Sequence, residues 1–160
     1  MQALLGLDLG TTGMKAALFA ADDGQVLASA FVAYPLSHPQ PGWAEQNPAE
    51  WWSATITAIR ACLQQGMEHG VSPQNVRGVG LSGQMHGVVL LDEASQVLRP
   101  CIIWADQRSD EQCRWMTERV GLARLIEYTS NPALPGFSAP KALWVRDHEP
   151  EIFARARLLL

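Results

Sequence analysis

The sequence holds few cysteines, no basic run and no long apolar stretch. Cys62, Cys101 and Cys113 are an odd set without a CxxC spacing. That argues against a disulfide framework or a zinc site and fits a reducing cytoplasm. Twelve Lys and Arg are scattered among sixteen Asp and Glu, for a net charge of −4. Such a balance argues against a nucleic-acid binder or a membrane-surface protein. No apolar run would span a bilayer. The first residues lack a charged start, a long apolar stretch and a cleavage site, so no secretion signal is expected. There is no internal repeat and no low-complexity tract.

What is present is enough for a domain with its own core: 160 residues, 48% hydrophobic and 18% charged. Residues 3–9 are apolar up to a Gly/Thr turn and predict a buried strand. Residues 14–20 predict a second strand returning antiparallel. Asp22-Asp23-Gly24 predicts a hairpin turn, because Asp and Gly tolerate positive φ, and 25–34 a third strand. After a Pro-rich loop from Pro35 to Pro48, Asn47-Pro48-Ala49-Glu50 reads as a helix start, with a cap, a proline and a first-turn acid. Trp52, Ile56, Ile59 and Leu63 recur at helical spacing and predict its buried face, with an end near Gly66 or Gly70. Further strands are expected at 76–82, 86–91 and 101–104, and helices at 107–119, 121–127 and 139–147. A last strand opens at 157. It stops inside its apolar run, Leu158-Leu159-Leu160, so a longer protein is expected.

Two glycine patterns invite a nucleotide. Gly78-Val79-Gly80-Leu81-Ser82-Gly83 matches GxGxxG, but that fingerprint works only where a strand meets a helix. Here another apolar, strand-like run follows, so the glycines are expected to serve packing and a bend. The other pattern is Asp8-Leu9-Gly10-Thr11-Thr12-Gly13-Met14-Lys15. It is not a GxxxxGK[ST] loop, and lying between two strands it has no helix dipole to use. Bare amides of the turn, hydroxyls of Thr11 and Thr12, and the Lys15 cation could grip a phosphate. Asp8, at the end of its strand, could meet a phosphate-held Mg²⁺. A polar β-turn with an Asx bond from Asp8 explains the same residues, and both readings stand on the residues alone.

The turn from Asp8 to Lys15 resembles the first phosphate motif of the actin/hexokinase ATPase fold. Further stretches resemble, in order, the N-terminal part of the FGGY carbohydrate kinases. They are Gly42-Trp43-Ala44-Glu45-Gln46, Trp51-Trp52, Ser82-Gly83-Gln84-Met85-His86-Gly87, Ile103-Trp104-Ala105-Asp106-Gln107-Arg108 and Gly136-Phe137-Ser138-Ala139-Pro140-Lys141. The resemblance runs over nearly the whole chain. Its Gln-Met-His-Gly segment is most similar to members acting on D-xylulose, whereas glycerol-phosphorylating members carry Arg-Glu where Met85-His86 stand.

The resemblance implies an α/β, ribonuclease H-like fold, with residues 1–160 as a first domain incomplete at its C-terminus and a second domain absent. It implies phosphoryl transfer from ATP, with Mg²⁺, to a small sugar, a pentulose first of all. Asp8 would serve the Mg²⁺ through water, Thr11, Thr12 and Gly13 would line the phosphate channel, and Lys15 would meet phosphate charge. Met85 and His86 would contact the sugar, with Trp104 as a packing face and Asp106 as a hydroxyl acceptor; Asp106 could equally cap the helix after it. Trp43, Trp51 and Trp52 are expected in the core. The catalytic base is expected beyond residue 160, so this chain alone is expected to be inactive. Family members often pair, which makes a homodimer the implied assembly. Ribulose, gluconate, fuculose and glycerol are the rival substrates, and a non-catalytic sugar- or nucleotide-binding module is the rival class.

Overall fold

A computed structural model describes all 160 residues. In chain order the elements are β1 (Ala3–Leu9), β2 (Gly13–Ala20), β3 (Val26–Ala33), β4 (Glu45–Gln46), α1 (Pro48–Glu68), β5 (Val76–Gly83), β6 (Leu90–Leu91), β7 (Cys101–Ile102), α2 (Asp110–Val120), α3 (Leu122–Thr129), α4 (Ser138–His148), α5 (Pro150–Arg155) and β8 (Leu158–Leu159). They form two compact units: residues 1–35 with 49–84, and residues 36–48 with 85–160.

The first unit is a four-stranded sheet in the order β3-β2-β1-β5. The first three strands form the antiparallel meander that the apolar runs and their turns predict, and β5 runs parallel to β1. Successive side chains of a strand point to opposite faces. Leu5 and Leu7 of β1, Met14, Ala16 and Leu18 of β2 and Ala28 of β3 therefore share one buried core with Ala54, Ala58 and Cys62 of α1. That core corrects the predicted helix face. Small residues four apart, Ala54, Ala58, Cys62 and Gly66, are the buried positions, and a methyl on Gly66 would stand 2.5 Å from a Leu18 methyl. Close approach of helix to sheet selects small side chains, so Ile59 and Leu63 pack only partly. Trp52 lies outside the core altogether, 67% exposed, while Trp51 packs on it.

The GxGxxG stretch is β5 itself, in register with β1 from Leu4↔Gly78 to Leu9↔Gly83. It opens no helix, so a dinucleotide turn is not formed there.

The second unit is built from short pieces. β4 pairs with β7 and β6 with β8, all antiparallel, and its core gathers Val88, Leu90, Ile102, Trp144 and Val145. The continuous strand expected at 86–91 is reduced to Leu90–Leu91 plus a single bridge from Val88 to Ile102. His86 takes a left-handed backbone, φ 66, which breaks a strand before it starts. Helix α5, with Pro150 in its first turn, has too short a pattern to be read from the sequence. No helix is long and apolar enough to cross a membrane.

Candidate functional site

In the first unit, the turn between β1 and β2 is closed by its own backbone: the Gly10 N–H donates to the Gly13 carbonyl at 3.1 Å. Tyr34 clamps it from beyond β3. Its hydroxyl donates to the Gly10 carbonyl, and its N–H reaches the Thr12 carbonyl at 3.4 Å. Burial, helped by the Asp8 charge, pushes the Tyr34 phenol up to about 12, so it stays a donor across the physiological range. Gly13 admits no side chain, since an added Cβ would meet the Val32 carbonyl oxygen at 2.6 Å. Thr11 is half-buried and Thr12 exposed.

Asp8 and Lys15 are partners across β1 and β2, and Ser82 is the partner of Asp8 on β5. All three lie on the sheet face opposite α1, and all are exposed. Gly6 and Gly80 are also in register; the Phe19 ring edge lies over Gly6, and nothing stands over Gly80. The result is a groove of ≈ 320 Å³ lined by Gly6, Asp8, Lys15, Phe19, Gly80 and Ser82. No ion pair joins Asp8 to Lys15. A carboxylate and an ammonium that face each other without neutralising each other suit a ligand carrying both anionic oxygen and a cation. The donor set fits a hydrated Mg²⁺ bound through phosphate: one exposed carboxylate and nearby hydroxyls are too few for an all-protein cage.

In the second unit, Met85 is 67% exposed and Trp104 48%. His86 is half-buried with its ring against Phe137, centroids 4.7 Å apart and planes at 64°. The Gly136 α-carbon sits so close to Trp104 that a Cβ there would be 3.0 Å from the Trp104 carbonyl oxygen. One short loop, 136–137, thus abuts both His86 and Trp104. A cavity of ≈ 230 Å³ opens beside His86 and Phe137, with Met116, Leu125, Thr129 and Pro140 also in its wall.

Asp106 departs from expectation. It is fully buried, and its carboxylate accepts from the Ala44 N–H at 2.6 Å, the Arg108 N–H at 2.9 Å and the Arg108 guanidinium at 2.8 Å. With its oxygens so occupied it presents none to a sugar, and α2 starts at Asp110, so it does not cap that helix either. It anchors a buried ion network that sequence reading missed. Glu45 accepts from Arg99 at 2.6 Å and from Arg108 at 2.7 Å, and Arg99 reaches Glu149 at 2.7 Å. The Arg108 guanidinium also lies 3.6 Å over the Trp43 ring, and Trp43 meets Trp144 edge-on at 5.2 Å. Trp43 is therefore held by stacking on a cation as well as by apolar contact. Nothing in the local pattern marks Arg99 for burial, because Glu45 and Glu149 lie tens of residues away; Arg108 has Asp106 two residues before it, but its other carboxylate, Glu45, is equally distant in the chain.

Lys141 is a further buried charge to which the sequence pattern assigns no role of its own. It is buried, and its Nζ donates to the carbonyls of His86 at 2.7 Å and Gly136 at 2.6 Å. Burial pulls its ammonium down to about 8.

Comparison with known proteins is consistent along the whole chain. A model of the N-terminal domain of the FGGY family of carbohydrate kinases matches residues 3–160. A xylulose kinase of Klebsiella pneumoniae is 44% identical over 156 residues, covering 98% of this chain and 31% of that protein. Among solved structures, a "xyloylose kinase" from Brucella ovis superposes with TM-score 0.90 at 42% identity, over 99% of this chain and 31% of that one. The xylulose kinase of Rhodospirillum rubrum gives 0.89 at 29% identity, over 99% and 32%. The chain thus spans about a third of the length of the relatives it matches.

Proposed function

The chain belongs to the FGGY family of carbohydrate kinases, and we propose that it forms the N-terminal part of an ATP-dependent kinase acting on D-xylulose. Its fold is the first-domain α/β fold of those sugar kinases. The observation that carries the reading is the bared sheet face on which Asp8 and Lys15 stand opposite each other beside a turn closed by its own backbone. The similarity to xylulose kinases supports the choice of sugar.

In this reading the γ-phosphoryl of ATP passes to the terminal hydroxyl of the sugar. The sugar oxygen forms a bond to phosphorus, the bond to the bridging oxygen of ADP breaks, and the hydroxyl proton goes to a base. That base lies outside these 160 residues. Bound Mg²⁺ would neutralise charge on the phosphates. Asp8 would hold water of the cation's shell, and the amides of Thr11, Thr12 and Gly13 with the hydroxyls of Thr11 and Thr12 would receive phosphate oxygens. Lys15 would offset charge that builds on the leaving phosphate. Exposed Asp8 and Lys15 already point into solvent on the bare face, so little reorganisation is needed to meet the ligand. Met85 would give an adaptable apolar wall to the sugar carbons. The His86 imidazole, held against Phe137, would exchange hydrogen bonds with sugar hydroxyls, and Trp104 would offer a ring face. We place the protein in the cytoplasm, where its three free, buried cysteines would remain thiols.

The test uses the full-length protein that carries this chain. With Mg·ATP it is expected to release ADP in the presence of D-xylulose and more slowly with D-ribulose, gluconate, L-fuculose or glycerol. No ADP above background with D-xylulose, but turnover with another of these, would move the substrate while keeping the class. No turnover with any of them would refute the kinase.

A further inference from the structure

We infer that Lys141 is a positioning residue for the sugar-binding side chains, acting through the backbone of His86; the inference rests on the reading that His86 meets the sugar. The lysine is fully buried at the fourth position of α4. An ammonium has three donors and no acceptor, and two of them are spent on main-chain oxygens, His86 at 2.7 Å and Gly136 at 2.6 Å. Packing alone does not ask for a lysine here. An apolar side chain would fill the same space without removing a charge from water, which is costly.

What the charge accomplishes is visible at its two partners. His86 holds φ 66, a backbone that a residue with a side chain keeps only when its surroundings impose it. Its carbonyl is where the ammonium grips. The second carbonyl belongs to Gly136, the residue pressed against the Trp104 backbone. The next residue, Phe137, supplies the ring that stacks edge-on to His86. One buried cation therefore ties the strained turn of His86 to the loop that supports both the His86 ring and Trp104. Asp106 lies near enough to favour its charge, and Arg108 opposes it. The direction of the His86 imidazole follows from its backbone, so losing the grip would free the ring without removing it.

The experiment compares full-length wild type with K141M, and with K141Q, whose amide keeps two N–H donors, if K141M does not fold. Each is also made in a His86→Asn background; asparagine tolerates the left-handed backbone but lacks the ring. The expected result is a KM for the best sugar raised about tenfold, with the KM for ATP within about twofold of wild type. In the His86→Asn background the Lys141 substitution is expected to add less than about twofold, because its effect runs through that side chain. Equal losses in both backgrounds, an unmoved sugar KM, or failure of both Lys141 variants to fold would overturn the inference in favour of a purely structural lysine. A wild type that phosphorylates no sugar is a different outcome, and it would remove the kinase reading itself.

Discussion

The hydroxyl of Tyr34 donates to the carbonyl of Gly10 and so ties the end of β3 to the turn that carries the glycines and threonines. The bond spans 24 residues of sequence, so it is a non-local restraint on that turn. Tyr34→Phe keeps the ring in the core and removes only the donor. Loss of one such bond costs about 1 kcal/mol. Denaturant unfolding is expected to show that loss, and the KM for ATP is expected to rise a few-fold while the sugar KM stays put.

Asp8 and Lys15 make a sharper test, because both are exposed and neither supports the core. Asp8→Asn is expected to leave stability within about 0.5 kcal/mol and to lower kcat about 100-fold, the scale of removing one preorganised electrostatic partner. Lys15→Met is expected to act mainly on ATP, with KM up about tenfold. Steady-state kinetics of full-length protein beside thermal melts would check both. A kcat that survives Asp8→Asn would take that carboxylate out of the metal's reach.

Asp106 behaves oppositely. Its carboxylate is buried between the Ala44 N–H and the Arg108 guanidinium, so Asp106→Asn leaves the buried Arg108 with Glu45, already shared with Arg99, as its one carboxylate partner. Breaking a buried pair on one side costs about 3–5 kcal/mol. The variant is expected to melt far below wild type, with the sugar KM of its folded fraction little changed. A normal melt with a raised sugar KM would restore Asp106 as a sugar ligand.

The buried titratable groups predict a stability optimum in mild base. Lys141 is pulled from 10.5 to about 8 by burial. Between those values the unfolded chain binds more protons, so this group adds stability as pH climbs from about 8 towards 10.5. Cys101 and Cys113 are pushed by burial from 9.0 to about 11. There the folded state keeps its protons longer, so stability falls as pH rises from about 9 through 11. Melting temperature of wild type is expected to rise up to about pH 9 and then decline. The rising limb is expected to vanish in K141M or K141Q. A rising limb that persists without Lys141 would assign it to other groups.

The meander and its turn were legible because their signals are local. The apolar runs at 3–9 and 14–20 and the Asp-Gly hairpin need only neighbours, and the observed strands match them. The helix from Pro48 was equally plain, but its buried face was not. Size, rather than hydrophobicity alone, selected Ala54, Ala58 and Cys62, and that choice depends on how closely the sheet approaches. The strand expected at 86–91 was lost to a single left-handed residue, His86; histidine is enriched in that region, but too weakly to mark one position in advance.

By itself the sequence determined the order of elements in the first unit, the Asp8–Lys15 turn and the family to which the ordered motifs belong. The turn and each single motif depend on residues close together in the chain, and the family on the order of the motifs along it. Tertiary structure alone decided that Asp106 is an anchor, that Arg99 and Arg108 are buried, and that Lys141 holds the turn of His86. Those outcomes rest on pairings between distant segments, and the cost of burying a charge can be judged only once its partner's position is known.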